Sequence, residues 1–150
     1  MDLLSDILKS MKLTGTLYFR TAFTSPWGVQ VPAFENVSRF HYVHRGRCFA
    51  RVAGEEDAIL LEQGDLVIIP HGASHVLSDP ADATALTVDQ VVEKSGFTGT
   101  GALVFGGTGN GHETQLICGH FAFDSGARHL LLEALPRYIH LVEYGKVSPS

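Results

Sequence analysis

At 150 residues, with 45% hydrophobic and 18% charged content, the chain fits one domain that buries roughly 70% of its unfolded surface, which excludes a second core and global disorder. A formal charge of -5 and the lack of any basic stripe or helix-turn-helix pattern exclude a duplex-binding surface, because nucleic-acid affinity comes largely from Lys and Arg neutralising phosphates. No apolar run reaches bilayer length, and no signal sequence precedes Cys48 or Cys118, so a cytoplasmic chain with reduced thiols is expected.

Leu3, Leu4, Ile7, Leu8 and Met11 recur at three- and four-residue spacing behind Asp2, which predicts an amphipathic helix over residues 1–12. Leu13 to Phe23 has strand composition, and Ser25, Pro26 and Gly28 then punctuate the chain around Trp27. Phe40–Val43 and Cys48–Val52 read as a hairpin turning at Gly46; Ala58–Leu61 follows an acidic turn of Gly54, Glu55, Glu56 and Asp57. Short strands bounded by Gly, Pro or acidic residues predict an antiparallel sandwich or barrel over residues 13–124 and not βαβ units. Pro80–Gly101 is expected to be a surface excursion with a weak segment near Leu86–Val92. Leu103–Phe105 and Gln115–Phe123 read as a second hairpin around GGTGNGHE, a flexible tip that lacks the Lys of a phosphate cradle. Leu130, Leu131, Leu132, Leu135, Ile139 and Leu141 predict a helical run broken at Pro136 within a C-terminal helical segment, residues 125–142, ahead of a tail at 143–150.

The stretch Gly64 to Asp79, GDLVIIPHGASHVLSD, organises the rest. Its apolar run is stopped by Pro70 and Gly72, so the corner is set by backbone chemistry and aims His75, and His71 beside it, at one place. Gly64, Pro70, Gly72 and His75 resemble the second motif of the cupin superfamily, with Asp79 where many members carry Asn. That resemblance implies a mainly-β chain, a cupin-type antiparallel β-barrel of the double-stranded β-helix or jelly-roll kind.

Alternation places His41 and Val43 on one strand face and Phe40, Tyr42 and His44 on the other, and groups Leu116, Cys118 and His120. In a barrel of cupin type His41, His75 and Cys118 converge on the interior, with His71 reaching in from the turn. Three imidazoles and a thiolate suit Zn²⁺ or another divalent transition metal, and four such ligands close the shell as structural zinc does. His44 and His120 are reserve ligands; His112, His129 and His140 read as surface or packing residues. The plain alternative is that the His and Cys residues are only packing, in an interaction module without a metal.

The first cupin motif departs from the metalloenzyme pattern, since Arg39 stands seven residues before Gly46 and no His-x-His precedes it. Arg39 suits an anionic ligand better than a metal. With Trp27 and Tyr42 it forms the expected effector-contacting set. The phrases TGTLYFR, PWG, FHYVHRG, GDLVIIPHGASHVLSD, LICGHFAFD and LLLEALPRYIHL together resemble the N-terminal cupin-like domain of AraC-type (AraC/XylS family) transcription regulators. The resemblance implies a regulatory domain, not an enzyme, that binds a small-molecule effector and forms a homodimer; the apolar stripe of Leu131, Leu135 and Ile139 is the expected dimer surface, although its spacing is equally compatible with core packing. It also implies that DNA is read by C-terminal helix-turn-helix units outside these residues, so the chain is expected to be an excised domain. The competing expectation is a small metal-dependent cupin enzyme of the isomerase or dioxygenase type, for which Asp79 and Glu113 are the only nearby carboxylates by motif position.

Overall fold

Corners rich in Gly and Pro carry this chain from one sheet to another. The computed structural model describes residues 13–34, 37–107, 111–123 and 134–142, with side chains described from residue 20 onward except at 121–123. The helix expected over 1–12, residues 125–133 and the 143–150 tail lie outside them. Among the described residues the strands are β1 (Leu13–Thr24), β2 (Trp27–Val31), β3 (Val37–Arg45), β4 (Arg47–Val52), β5 (Ile59–Glu62), β6 (Leu66–Ile69), β7 (His75–Asp79), β8 (Leu86–Thr87), β9 (Ala102–Gly106), β10 (Glu113–Phe123) and β11 (Ile139–Leu141), and a helix, α1 (Val88–Ser95), lies between β8 and β9. They form a six-stranded sheet in the order β11-β6-β3-β10-β1-β9 and a five-stranded sheet in the order β5-β4-β7-β2-β8. Pairing is antiparallel except between β1 and β9 and between β2 and β8.

The main core lies between the sheets. Phe23, Val43, Val67, Leu103, Leu116 and Cys118 from the first meet Trp27, Val29, Cys48, Ala50, Leu61 and Leu77 from the second. Period-two alternation explains the choice: in β4 Cys48, Ala50 and Val52 are buried while Arg47 and Arg51 are exposed. This two-sheet jelly roll realises the mainly-β cupin architecture expected from the sequence, with the sheets stacked and not closed into one hydrogen-bonded ring. A smaller cluster on the outer face of the first sheet joins Leu66 and Ile68 to Phe40, Tyr42, Ile139 and Leu141.

Four expectations need correction. β3 and β4 are consecutive but lie in different sheets, so Gly46 is a crossing point and not a hairpin turn. Its φ of 79° and the 2.3 Å that would separate an added Cβ from the Glu113 carbonyl leave room for glycine alone. β9 pairs with β1 and not with β10, so the second expected hairpin is also absent. The excursion after Asp79 contains α1, whose Thr87 hydroxyl accepts from Gln90 N and whose Gln90 side chain accepts from Thr87 N. This capping box, with left-handed Gly96 as C-cap, was readable in the sequence T-V-D-Q…G. Finally, Ile139–Leu141 is a strand on β6 and not the end of a helix: Pro136 interrupts the helical pattern, and Ile139 and Leu141 cover the first sheet's own apolar face.

Candidate ligand-binding site

Inside the mouth of the sandwich two imidazoles meet. His41 projects inward from β3 and His75 from the start of β7, 5% and 2% exposed, with their Nε2 atoms 2.8 Å apart and ring centroids 5.0 Å apart. The corner that delivers His75 is pinned on two sides. Ser38 Oγ donates to the Pro70 carbonyl at 2.7 Å, and Phe34 N donates to the Gly72 carbonyl at 2.9 Å. Gly72 has φ 68°, and an added Cβ would lie 2.0 Å from the Phe34 carbonyl oxygen, so no other residue fits this approach.

The hydrogen bonds assign the tautomers. His75 Nδ1 lies 2.9 Å from the Ala73 carbonyl, which can only accept, so His75 carries its proton on Nδ1 and offers a lone pair at Nε2. His41 must then donate from Nε2. Its Nδ1 is left as a buried acceptor without a partner. Both rings are neutral: burial holds His41 well below its ordinary range, with further lowering by His75 and then Arg39. Burial likewise lowers His75 to about 4, against the Ala73 hydrogen bond, which raises it, and with Arg39 adding to the fall.

Arg39 sits two residues before His41 on the same strand face and directly opposite His120 of β10. It is half-buried, its guanidinium carbon lies 5.5 Å from the centre of the Phe34 ring, and its Nε is shut off from solvent without a hydrogen-bond partner. Burial lowers its pKa. Cys118 is opposite His41 in register, buried, and faces the core. Its thiol is pushed up by burial and then by Cys48; Cys48 itself is pushed up to about 12 by burial and then by Asp79. Both cysteines are free thiols in their protonated form.

The remaining expected site residues are placed elsewhere. His71 is exposed on the outside of the corner, its Nε2 2.8 Å from the Leu135 carbonyl, so it does not join His75 in the interior. A turn with glycine at its centre sends residues 71 and 75 to different sides. Tyr42 lies on the outer face in the second cluster. Trp27 is 3% exposed and packs at a tilt against Phe23, ring centroids 4.6 Å apart, which makes it core. His44 is exposed, and His120 is half-buried at the mouth. Asp79, in register with Trp27, is buried with Oδ2 unpaired, while Glu113 is exposed. Sequence reasoning passed over Cys48 and His140. Cys48 faces Cys118 across the core, a placement implied by the alternation of β4. His140 Nε2 pairs with Asp65 Oδ2 at 3.0 Å.

The residues fit a metal only in part. Tetrahedral coordination at ~2.05 Å separates two ligand nitrogens by about 3.3 Å, so the imidazoles would have to part slightly. A cysteine would also have to lose a proton that its surroundings hold firmly. Among the described residues no three His, Cys, Asp or Glu side chains are grouped to hold a cation. A surface cleft of about 440 Å³, lined by Gly46, Arg47, Glu62, Gln63, His112 and Glu113, is not lined by this pair; it is open and ringed by mixed charge.

Comparison with known proteins places these features in context. Residues 2–149 match the family model described as Cupin. Two AraC-like transcription regulators are similar, from Streptomyces antibioticus at 29% identity over 141 residues and from Streptomyces lividans at 32% over 142 residues. The HTH-type transcriptional regulator MtrA of Neisseria gonorrhoeae is 27% identical over 142 residues. Each alignment covers 94% of this chain but 44% of the relative, so the chain spans less than half the length of the curated relatives it matches. Among solved structures, the protein YhaK of Escherichia coli superposes with a TM-score of 0.52 at 9% identity over 87% of this chain and 45% of YhaK, a likeness of fold alone. With the paired sheets, the Pro70–Gly72 corner and a family match over nearly every residue, the chain belongs to the cupin family.

Proposed function

We propose that this chain is the regulatory domain of an AraC-type transcription regulator, sensing a small-molecule effector at the mouth of the sandwich through Arg39, His41 and His75. The observation that carries the reading is the buried His41–His75 contact beside a cationic Arg39. Such a group of polar side chains costs stability in a core and needs a compensating role. The regulators it resembles support the class. Among the described residues no helix is long and apolar enough to cross a membrane, and an effector would be met in the cytoplasm. Occupancy that parts the two rings would shift the corner that carries His75, and with it residues 134–142, which touch that corner through His71. Homodimerisation, with DNA bound by a segment outside these residues, belongs to the same proposal.

The test is reporter transcription by the full gene product that contains this chain. His75→Phe and Arg39→Gln are expected to fix the output at one level under every growth condition, while Val104→Ser, on an exposed edge, stays responsive. Normal responses from both mouth variants contradict the proposal.

One observation favours a second reading, a transition metal on the same pair: the Ala73 carbonyl fixes His75 with its Nε2 lone pair turned toward His41, as backbone carbonyls do for the histidines that hold metals. Bound there, a metal would supply an open coordination position for a ligand. His41 and His75 would hold it, with Cys118 next in reach by register. Elemental analysis of protein purified without chelator tests this; one equivalent of zinc or copper, lost in His41→Asn, is the supporting result, and none contradicts it.

A further inference from the structure

Among the described residues the mouth holds one unmatched charge, one unmatched donor and one unmatched acceptor. Arg39 supplies the charge and, at Nε, the donor; His41 Nδ1 supplies the acceptor. The two residues are next neighbours on one face of β3, with Cα atoms about 7 Å apart along an extended strand. His120 is the cross-strand partner of Arg39, and His75 is bonded to His41. Ser38 is committed to Pro70, and the His140–Asp65 contact does not involve Arg39. No carboxylate among the described residues balances the guanidinium.

The surroundings add to this. Phe34 lies against the guanidinium and is itself 54% exposed, so the charge sits at the rim and not deep in the core. The imidazoles behind it are neutral, so they neither repel the guanidinium nor add positive charge toward an anion. A ligand that completes this site needs a negative oxygen toward Arg39 and an O–H toward His41 Nδ1.

We infer that the mouth binds a small oxyanion that also carries a hydroxyl proton, with its anionic oxygens on Arg39 and its O–H donating to Nδ1 of His41. Hydroxy acids and hydrogen phosphate share this chemistry. The inference rests on the mouth being the sensing site and gives that site a ligand class. Arg39 supplies most of the affinity, since charge-assisted bonds to a guanidinium are the stronger kind, and His41 separates a hydroxylated anion from its deoxy analogue.

The experiment is a thermal-shift titration of the purified chain at pH 7 and constant ionic strength with sodium lactate, sodium propionate, lactamide and sodium phosphate. Lactate is expected to stabilise saturably, propionate to bind roughly five- to tenfold more weakly for want of the hydroxyl, and lactamide to give no shift. Arg39→Gln is expected to weaken lactate at least tenfold and Arg39→Lys less so, with Arg20→Gln as a surface control. Phosphate competing with lactate, and lost in the same Arg39→Gln protein, supports the site with phosphate as the source. Equal shifts from lactate and lactamide, or a lactate response unchanged in folded Arg39→Gln, overturn the inference. Those outcomes leave the regulatory reading to the reporter assay, where His75→Phe decides it independently of this ligand class.

Discussion

Two sets of histidines, one inside the sandwich and one on its rim, show how burial sets what an imidazole does. His41 and His75 are almost completely enclosed, bond to each other, and are driven neutral. His71 and His140 hold residues 134–142 to the outside of the same corner and strand: His71 by a 2.8 Å bond to the exposed side's Leu135 carbonyl, His140 by a 3.0 Å contact with Asp65. The interior pair carries the energetic weight because neither ring can turn to water when its partner is lost. The rim contacts exchange with solvent and fix position more than stability.

Three perturbations sharpen that contrast. Gly72→Ala attacks the corner that delivers His75, forcing a side chain onto a left-handed backbone and into the Phe34 carbonyl. A loss of about 4 kcal/mol is expected from strain and overpacking together, read by chemical denaturation. Acid comes next. His75 has a folded pKa of about 4 against an ordinary 6.5, and His41 is lowered in the same sense. Between those values the unfolded chain takes up protons that the folded chain refuses. The His75 contribution is therefore fully present above pH 6.5 and declines as pH falls toward 4, by on the order of 3 kcal/mol. A His75→Phe protein should show a flatter stability profile across that window; an unchanged slope would place the acid sensitivity elsewhere. The smallest effect belongs to the rim. His140→Gln removes a 3.0 Å hydrogen-bonded contact with Asp65 whose histidine side chain is 21% exposed, and a change of roughly 0.5 kcal/mol is expected.

The sequence made the interior pair legible because two independent signals agreed on it. Strand alternation put His41 on the same face as Val43, and the Pro70–Gly72 corner turned the chain ahead of His75. Neither signal depends on which strands pair. His71 was misplaced because a corner with glycine at its centre sets the direction of each flanking side chain through backbone torsions that composition does not encode. The hairpins failed for a related reason. Gly46 and the glycine-rich run after Phe105 mark where the chain turns, but a turn looks the same in sequence whether the next strand pairs with the last one or crosses to the opposite sheet. Ile139 and Leu141 match both a helical stripe and a strand, and pairing with β6, which sets them beside Ile68 and Leu66, decided between them. Helix α1 was missed although Thr87, Gln90 and Gly96 spelled out its ends.

The protonation pattern of the two enclosed rings tests the account most directly. Long-range proton–nitrogen correlation spectra of ¹⁵N-histidine-labelled protein at pH 7 should show His75 protonated at Nδ1 and bare at Nε2, and His41 protonated at Nε2 and bare at Nδ1. A His41 ring carrying its proton on Nδ1, or either ring titrating near its ordinary 6.5, would contradict it.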